Sequence, residues 1–179
     1  MRFPSRSAKS PRRSGAAIVE VALLMTVFLL FLFGTFEYCR YLLFLHIATN
    51  AARDGVRFAA VNVTNADFMG TTVTASPFSS LRPAFTVPQI TTRVQSRMGG
   101  LDSMVDNFQV FVFPCDSIAL YGDPPAFEPR PGSTGWNNAQ FGERIAVRIS
   151  GTYRTIVPNL LMLPAEIPIN LTVVMGSEG

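Results

Sequence analysis

The residues that could carry chemistry are few. The chain has one histidine, His46, one lysine, Lys9, and two cysteines, Cys39 and Cys115. A Ser-His-Asp or Cys-His relay needs a histidine in a cleft beside its nucleophile, and no second histidine exists to supply one away from His46. Lys9 lies in a basic N-terminal tail, which excludes a Ser-Lys dyad in the exported part. A zinc centre needs three or four clustered ligands, which one histidine and two scattered cysteines do not provide. Asp102 and Asp106 stand four apart and read as a solvated surface pair. Hydrolysis by two carboxylates alone is permitted by residue type, but nothing marks a pair. The glycines show no phosphate-loop spacing. The expectation is therefore no enzyme, no cofactor and no metal. One ionisable residue stands out, Glu20, because it sits inside an apolar run, where a charge costs roughly 2–3 kcal/mol and less near an end. The chemistry open to it is ion pairing.

The element around Glu20 is a membrane span. From Ala16 to Phe36 only Glu20, Thr26, Gly34 and Thr35 interrupt 21 residues of apolar sequence, and about 20 are needed to cross a bilayer core. A cleaved secretory signal would have a shorter apolar core ending in a small-x-small site, and "LFGTFEYCRY" offers none. Arg2, Arg6, Lys9, Arg12 and Arg13 precede the span without an acid among them, which orients the N-terminus to the cytoplasm. Removing these five from the 15 basic residues leaves 10 against 12 acidic ones. The pI of 9.2 thus belongs to the tail and gives no reason to expect nucleic acid. Export of the remainder permits a disulfide, but pairing requires a close approach of the two backbones. Two free thiols are the expectation for Cys39 and Cys115.

The helix is predicted to run on from Glu37 to Ala60, about 67 Å in all from Ala16. Ala48, Ala52, Gly55 and Ala59 share one face, while His46, Asn50, Arg53, Asp54 and Arg57 gather on another. A seam of small residues admits close approach of a second backbone. That backbone belongs either to another helix or to the chain's own domain, since an amphipathic helix commonly buries its stripe in its own core. Glu37 and Arg40 are spaced to pair at the outer interface, and Tyr38 and Tyr41 suit an aromatic belt.

The organisation expected is a basic segment at 1–15, a transmembrane helix at 16–36, its continuation at 37–60 and a head at 61–179. Residues 61–85 read as loop. "TVPQITTRVQSRMGGL" reads as a short helix capped by Thr86 with Gln89 as its capping-box partner, ended by Gly99–Gly100, with Ile90, Val94 and Met98 as its apolar stripe. Strands follow in "FQVFVF", "RIAVRISGTYR" and "IPINLTVVM". Ile145, Val147 and Ile149 share a face, as do Ile167, Ile169, Leu171, Val173 and Met175. The fold class expected is α+β, a long N-terminal helix followed by a small antiparallel sheet with one buried face and a short helix. Residues 116–142, with four prolines and four glycines, form a long excursion, and "PNLLMLP" joins the last two strands.

Basic tail, Gly15, and a glutamate five residues later in an apolar span resemble the processing site of type IV pilin-like proteins. "GAAIVEVALLM", "GTFEYCRYLL" and "TNAARDGVRFAA", in that order and spacing, resemble the TadE family, closely from Gly15 to Ala60 and loosely over the last strands. The resemblance implies a minor pseudopilin of the tight-adherence, or Flp, pilus with a pilin-like head. It implies cutting after Gly15 by a prepilin peptidase, which a glycine suits because its bare backbone enters a narrow cleft. Ala16 then carries a positive amine one turn from Glu20, in the same or a neighbouring subunit. The competing reading of Glu20 is a carboxylate at headgroup depth. The implied partners are the peptidase, other pseudopilins, the major pilin, the assembly platform and the bilayer. The implied location is the bacterial inner membrane with a periplasmic head, entry into the extracellular fibre being left open. Arg53, Asp54 and Arg57 fall in the family's block and face either another pseudopilin or the chain's own head. The alternative function is a single-pass anchored periplasmic binding domain, neither processed nor part of a pilus.

Overall fold

The computed structural model describes residues 14–63, 74–75, 85–115, 127, 129–130, 135–137, 139, 142–157 and 164–176. Helix α1, Ser14–Val61, is 48 residues long. No proline interrupts it. Its threonines do not disturb it, because Thr26 and Thr35 donate to the carbonyls of Ala22 and Phe31 one turn back, both at 2.9 Å, so each hydroxyl is satisfied within the helix. Residues 15–33 are exposed throughout. Beyond them α1 carries the head, and Phe44, Ala48, Ala51, Ala52, Val56 and Ala59 are buried.

The strands are β1 (Thr74–Ala75), β2 (Phe85–Thr86), β3 (Val105–Cys115), β4 (Arg144–Arg154) and β5 (Glu166–Gly176). Helix α2 (Pro88–Met98) and a 3-10 turn (Leu101–Met104) lie between β2 and β3. The sheet order is β1-β2-β3-β4-β5, each neighbouring pair antiparallel. The α+β expectation holds.

Three expectations are corrected. Residues 61–85, read as loop, carry β1 and the first residue of β2, which extend the sheet beyond β3. Thr86 does not cap α2. It closes β2 against Thr74, Val87 takes the cap position without a side-chain bond, and Pro88 opens the helix. Proline suits the first turn because its φ is preset and its missing N–H would have had no partner there. The other end is as read. Gly99 and Gly100 have φ of 61° and 90°, a conformation that favours glycine. Ile90, Val94 and Met98 are buried, each stabilising the fold by about 1.5–3 kcal/mol.

The sheet is also buried on both faces. Val110, Val112, Ile145, Val147, Ile149, Tyr153 and Ile169 pack toward the helices with Trp136. Behind them Phe111, Phe113, Cys115 and Ala146 form a second cluster, against which Phe127 and Val174 pack. Arg148 lies in this second layer. Its Nε donates to Thr172 Oγ1 at 3.0 Å, its Nη2 donates to the Phe127 carbonyl, and its guanidinium stands 5.1 Å from the centre of the Phe113 ring. Burial lowers the Arg148 pKa from its ordinary value, with the Cys115 charge opposing. The described parts of the 116–142 excursion thus supply core: Trp136 to the first layer, Phe127 to the second. Between Asp106 and Gln109 the β3–β4 register shifts at a bulge, where Asn107 has a φ of 53°. Gly151 faces the bulge, and a Cβ there would stand 3.0 Å from the Asp106 carbonyl oxygen.

Candidate functional site

The first turns of α1 are bare. Among the described residues, nothing lies within 4 Å of where a Gly15 Cβ would be. Gly15, Ala16 and Glu20 are all exposed. Around Glu20 stand Ile18, Val19, Val21, Leu23 and Leu24, each more than half exposed. The helix places Glu20 about 6 Å above Ala16. The structure therefore sets these three residues on one unobstructed stretch of helix, away from the head.

At the upper end of the bare stretch α1 meets the head through a polar joint. Arg40 Nη2 donates to Glu37 Oε1 at 2.7 Å and to the Arg154 carbonyl at 2.9 Å, and the Ile156 amide donates to Glu37 Oε1 at 3.3 Å. Glu37 is only 6% exposed. The Arg40 guanidinium lies 5.0 Å from the Tyr153 ring centre, and Tyr41 packs on the same ring at 5.3 Å, edge to face. Burial raises the Tyr153 pKa; Arg40 opposes this and Glu37 adds to it. The interfacial pair read from sequence is thus the joint between helix and head. Tyr41 belongs to that joint, whereas Tyr38 is exposed.

Higher on α1 the small-residue seam is filled within the chain. Ala48, Ala52 and Ala59 are fully buried. At Gly55 a Cβ would stand 2.7 Å from Val94 and 3.7 Å from both Ile90 and Val147. Glycine lets α2 and β4 approach together. Of the two occupants open to the seam, the structure seats the chain's own domain. Asp54 clamps the two helices: Arg93 Nε and Arg97 Nε donate to its Oδ2 at 2.9 and 3.0 Å. Arg53 and Arg57 are exposed and line a cleft of about 560 Å³ with Asn50 and the Val173–Met175 end of β5.

Asp54 gives a pH prediction. Desolvation raises its pKa, but the hydrogen bonds and charges of Arg93 and Arg97 outweigh that and hold it below a free carboxylate's 3.8. A group whose folded pKa is depressed stabilises above its unfolded value and loses that contribution as pH falls through the folded one. Asp54→Asn is expected to cost about 1 kcal/mol at neutral pH, as partly exposed ion pairs do. The wild-type and variant unfolding midpoints should then converge as the medium is acidified below 3.8. A gap that stays constant with pH would refute the assignment.

Among the described residues no group of three or more His, Cys, Asp or Glu is placed to hold a metal. Cys39 is exposed and Cys115 is buried, and no disulfide joins them. Sequence reasoning missed Tyr153 and the carbonyl and amide that complete the Glu37 joint. The Glu37–Arg40 spacing was the only signal pointing there.

Bare apolar helix, packed α+β head and a polar joint between them are the build of a protein anchored in a membrane by its N-terminal helix. That helix is long and apolar enough to cross a membrane, and its apolar window is 0% buried. The model of the TadE-like protein family matches residues 15–57, which takes in the bare stretch, the α1 side of the joint and most of the seam. No curated protein and no solved structure matches the chain.

Proposed function

We propose that this chain is a minor pseudopilin of a tight-adherence pilus, held in the inner membrane by α1 with its head in the periplasm. A prepilin peptidase cuts it after Gly15, and it assembles with other pseudopilins and the major pilin on the pilus platform. The observation that carries this reading is the TadE-like match, which opens at Gly15 on a helix end against which none of the described residues packs. The family points to a protein associated with the Tad pilus. The bare length of α1 adds a physical reason for assembly in the membrane. An apolar surface this long must be covered by lipid or by other helices, and among the described residues the head covers none of residues 15–33.

The mature N-terminus tests the reading. Protein isolated from host membranes is expected to begin at Ala16, and Gly15→Leu is expected to retain residues 1–15, read as a mass difference by intact-protein mass spectrometry. A wild-type chain still beginning at Met1 with the peptidase present would favour a tethered periplasmic binding domain instead.

A further inference from the structure

The course of β4 along α1 brings the foot of the head to the level where the apolar helix emerges. Val147 lies 3.7 Å from the Cβ position of Gly55. Tyr153 packs on Tyr41 and Phe44. The Arg154 carbonyl accepts from Arg40, and the Ile156 amide donates to Glu37. From Val147 to Ile156 the chain therefore descends α1 from Gly55 to Glu37. The two lengths agree, about 30 Å of strand against about 27 Å of helix. The next α1 residue down is Phe36, 74% exposed and the last of the apolar span.

At this level the head turns apolar. Ile156 is 67% exposed, and Pro164 and Ala165 are exposed beside it. Thr155 closes the neck, its amide donating to the Ala165 carbonyl at 3.2 Å and its hydroxyl to the Pro164 carbonyl at 3.2 Å. Among the described residues at this level, 155–157 and 164–165, none is charged. Charge resumes immediately above, where Arg154 pairs with Asp106 and stands opposite Glu166 across the strands. A charged collar over an uncharged apolar foot is the distribution of a surface that sits in a membrane interface, polar groups at headgroup level and apolar groups below them.

We propose that the foot of the head, presented by Ile156, Val157 and Pro164, is a second lipid-contacting surface, seated in the bilayer leaflet through which α1 emerges. The occupant is lipid because the foot continues the surface of the apolar span at its exit, joined to it through Glu37. With two contacts, the tilt of the head on the membrane is set by the foot as well as by the helix. The proposal rests on α1 being a bilayer anchor and not on processing or pilus entry.

The test uses the full chain in phosphatidylethanolamine–phosphatidylglycerol vesicles, on a Cys39→Ser background, with the buried Cys115 left in place. A nitroxide is attached in turn to Phe31→Cys, Ile156→Cys and Val61→Cys, all exposed positions. Oxygen, which concentrates in lipid, is expected to relax the labels at 31 and 156 more than a water-soluble nickel chelate does. The order should reverse at 61, about 45 Å along the helix from 31. A label at 156 relaxed mainly by the chelate, with 31 still in lipid, overturns the foot and leaves the anchor standing. A label at 156 shielded from both reagents overturns it in favour of a protein contact. Chelate access at 31 overturns the anchor and the foot together.

Discussion

Glu37→Ala is expected to lower the thermal midpoint of the head by about 5–10 °C, a loss of about 2–3 kcal/mol in a chain of this size. Three groups depend on that carboxylate. Arg40 would keep the Arg154 carbonyl but lose its counter-charge, with only 20% of its side chain exposed. The Ile156 amide would lose its acceptor. The Tyr153 ring would remain beside an unbalanced cation. Removing one partner of a buried pair costs about 3–5 kcal/mol; the lower figure here reflects the carbonyl that Arg40 retains and its partial contact with water. The same reasoning predicts recovery. Glu37→Leu combined with Arg40→Met removes both charges and should regain most of the lost stability, because a buried pair replaced by apolar groups of similar size is often neutral. Circular dichroism melts of the single and double variants decide it. An unshifted midpoint in Glu37→Ala, or a double variant worse than the single, would show that the joint does not hold the head to the helix.

What was legible in the sequence follows from which signals are local. The stripe Ile90–Val94–Met98 and the alternation in β4 and β5 are periodic, and periodicity reports which residues share a face. It does not report what covers that face. Ala146 and Arg148 alternate correctly yet are buried, because Phe127, from a stretch with no periodicity, lies over them. The seam is the same case. Small residues at spacings of 4, 3 and 4 announce a close approach, while the identity of the neighbour, α2 in this chain, is tertiary information. Glu37 shows the limit most sharply, since two of its joint's hydrogen bonds span 114 and 119 residues of sequence. Gly15 and Glu20 differ in kind: their setting is a short linear pattern, and among the described residues no distant segment packs on that part of α1.

Glu20→Ala is expected to reduce incorporation into pilin complexes by tenfold or more while leaving the amount of protein in the membrane unchanged or higher. The two halves of this prediction have opposite signs, which separates assembly from insertion. For insertion alone the substitution is favourable, since it removes a carboxylate that costs roughly 2–3 kcal/mol in the hydrocarbon and less near a helix end. The partner proposed for that carboxylate lies close along the helix or in a neighbouring subunit: the residues flanking it are apolar and, among the described residues, the head covers none of this stretch. If the chain is cut after Gly15 as proposed, the Ala16 amine would lie about 6 Å away along the helix, and in a bundle the same amine of an adjacent subunit would also be in reach. An ion pair there stabilises the assembled state over the dispersed one, and a tenfold loss corresponds to about 1.4 kcal/mol of that preference. Glu20→Gln keeps the shape and removes the charge, so it should behave as Glu20→Ala does if charge is what matters. In a Gly15→Leu background, which leaves no free amine at Ala16, adding Glu20→Ala should then change nothing further. Cross-linking yield to the proposed pilin partners, normalised to membrane-extracted protein, reads all of these. Full incorporation of Glu20→Ala, or an effect of Glu20 that persists undiminished when Gly15 is blocked, would leave the carboxylate with no role beyond headgroup-level solvation.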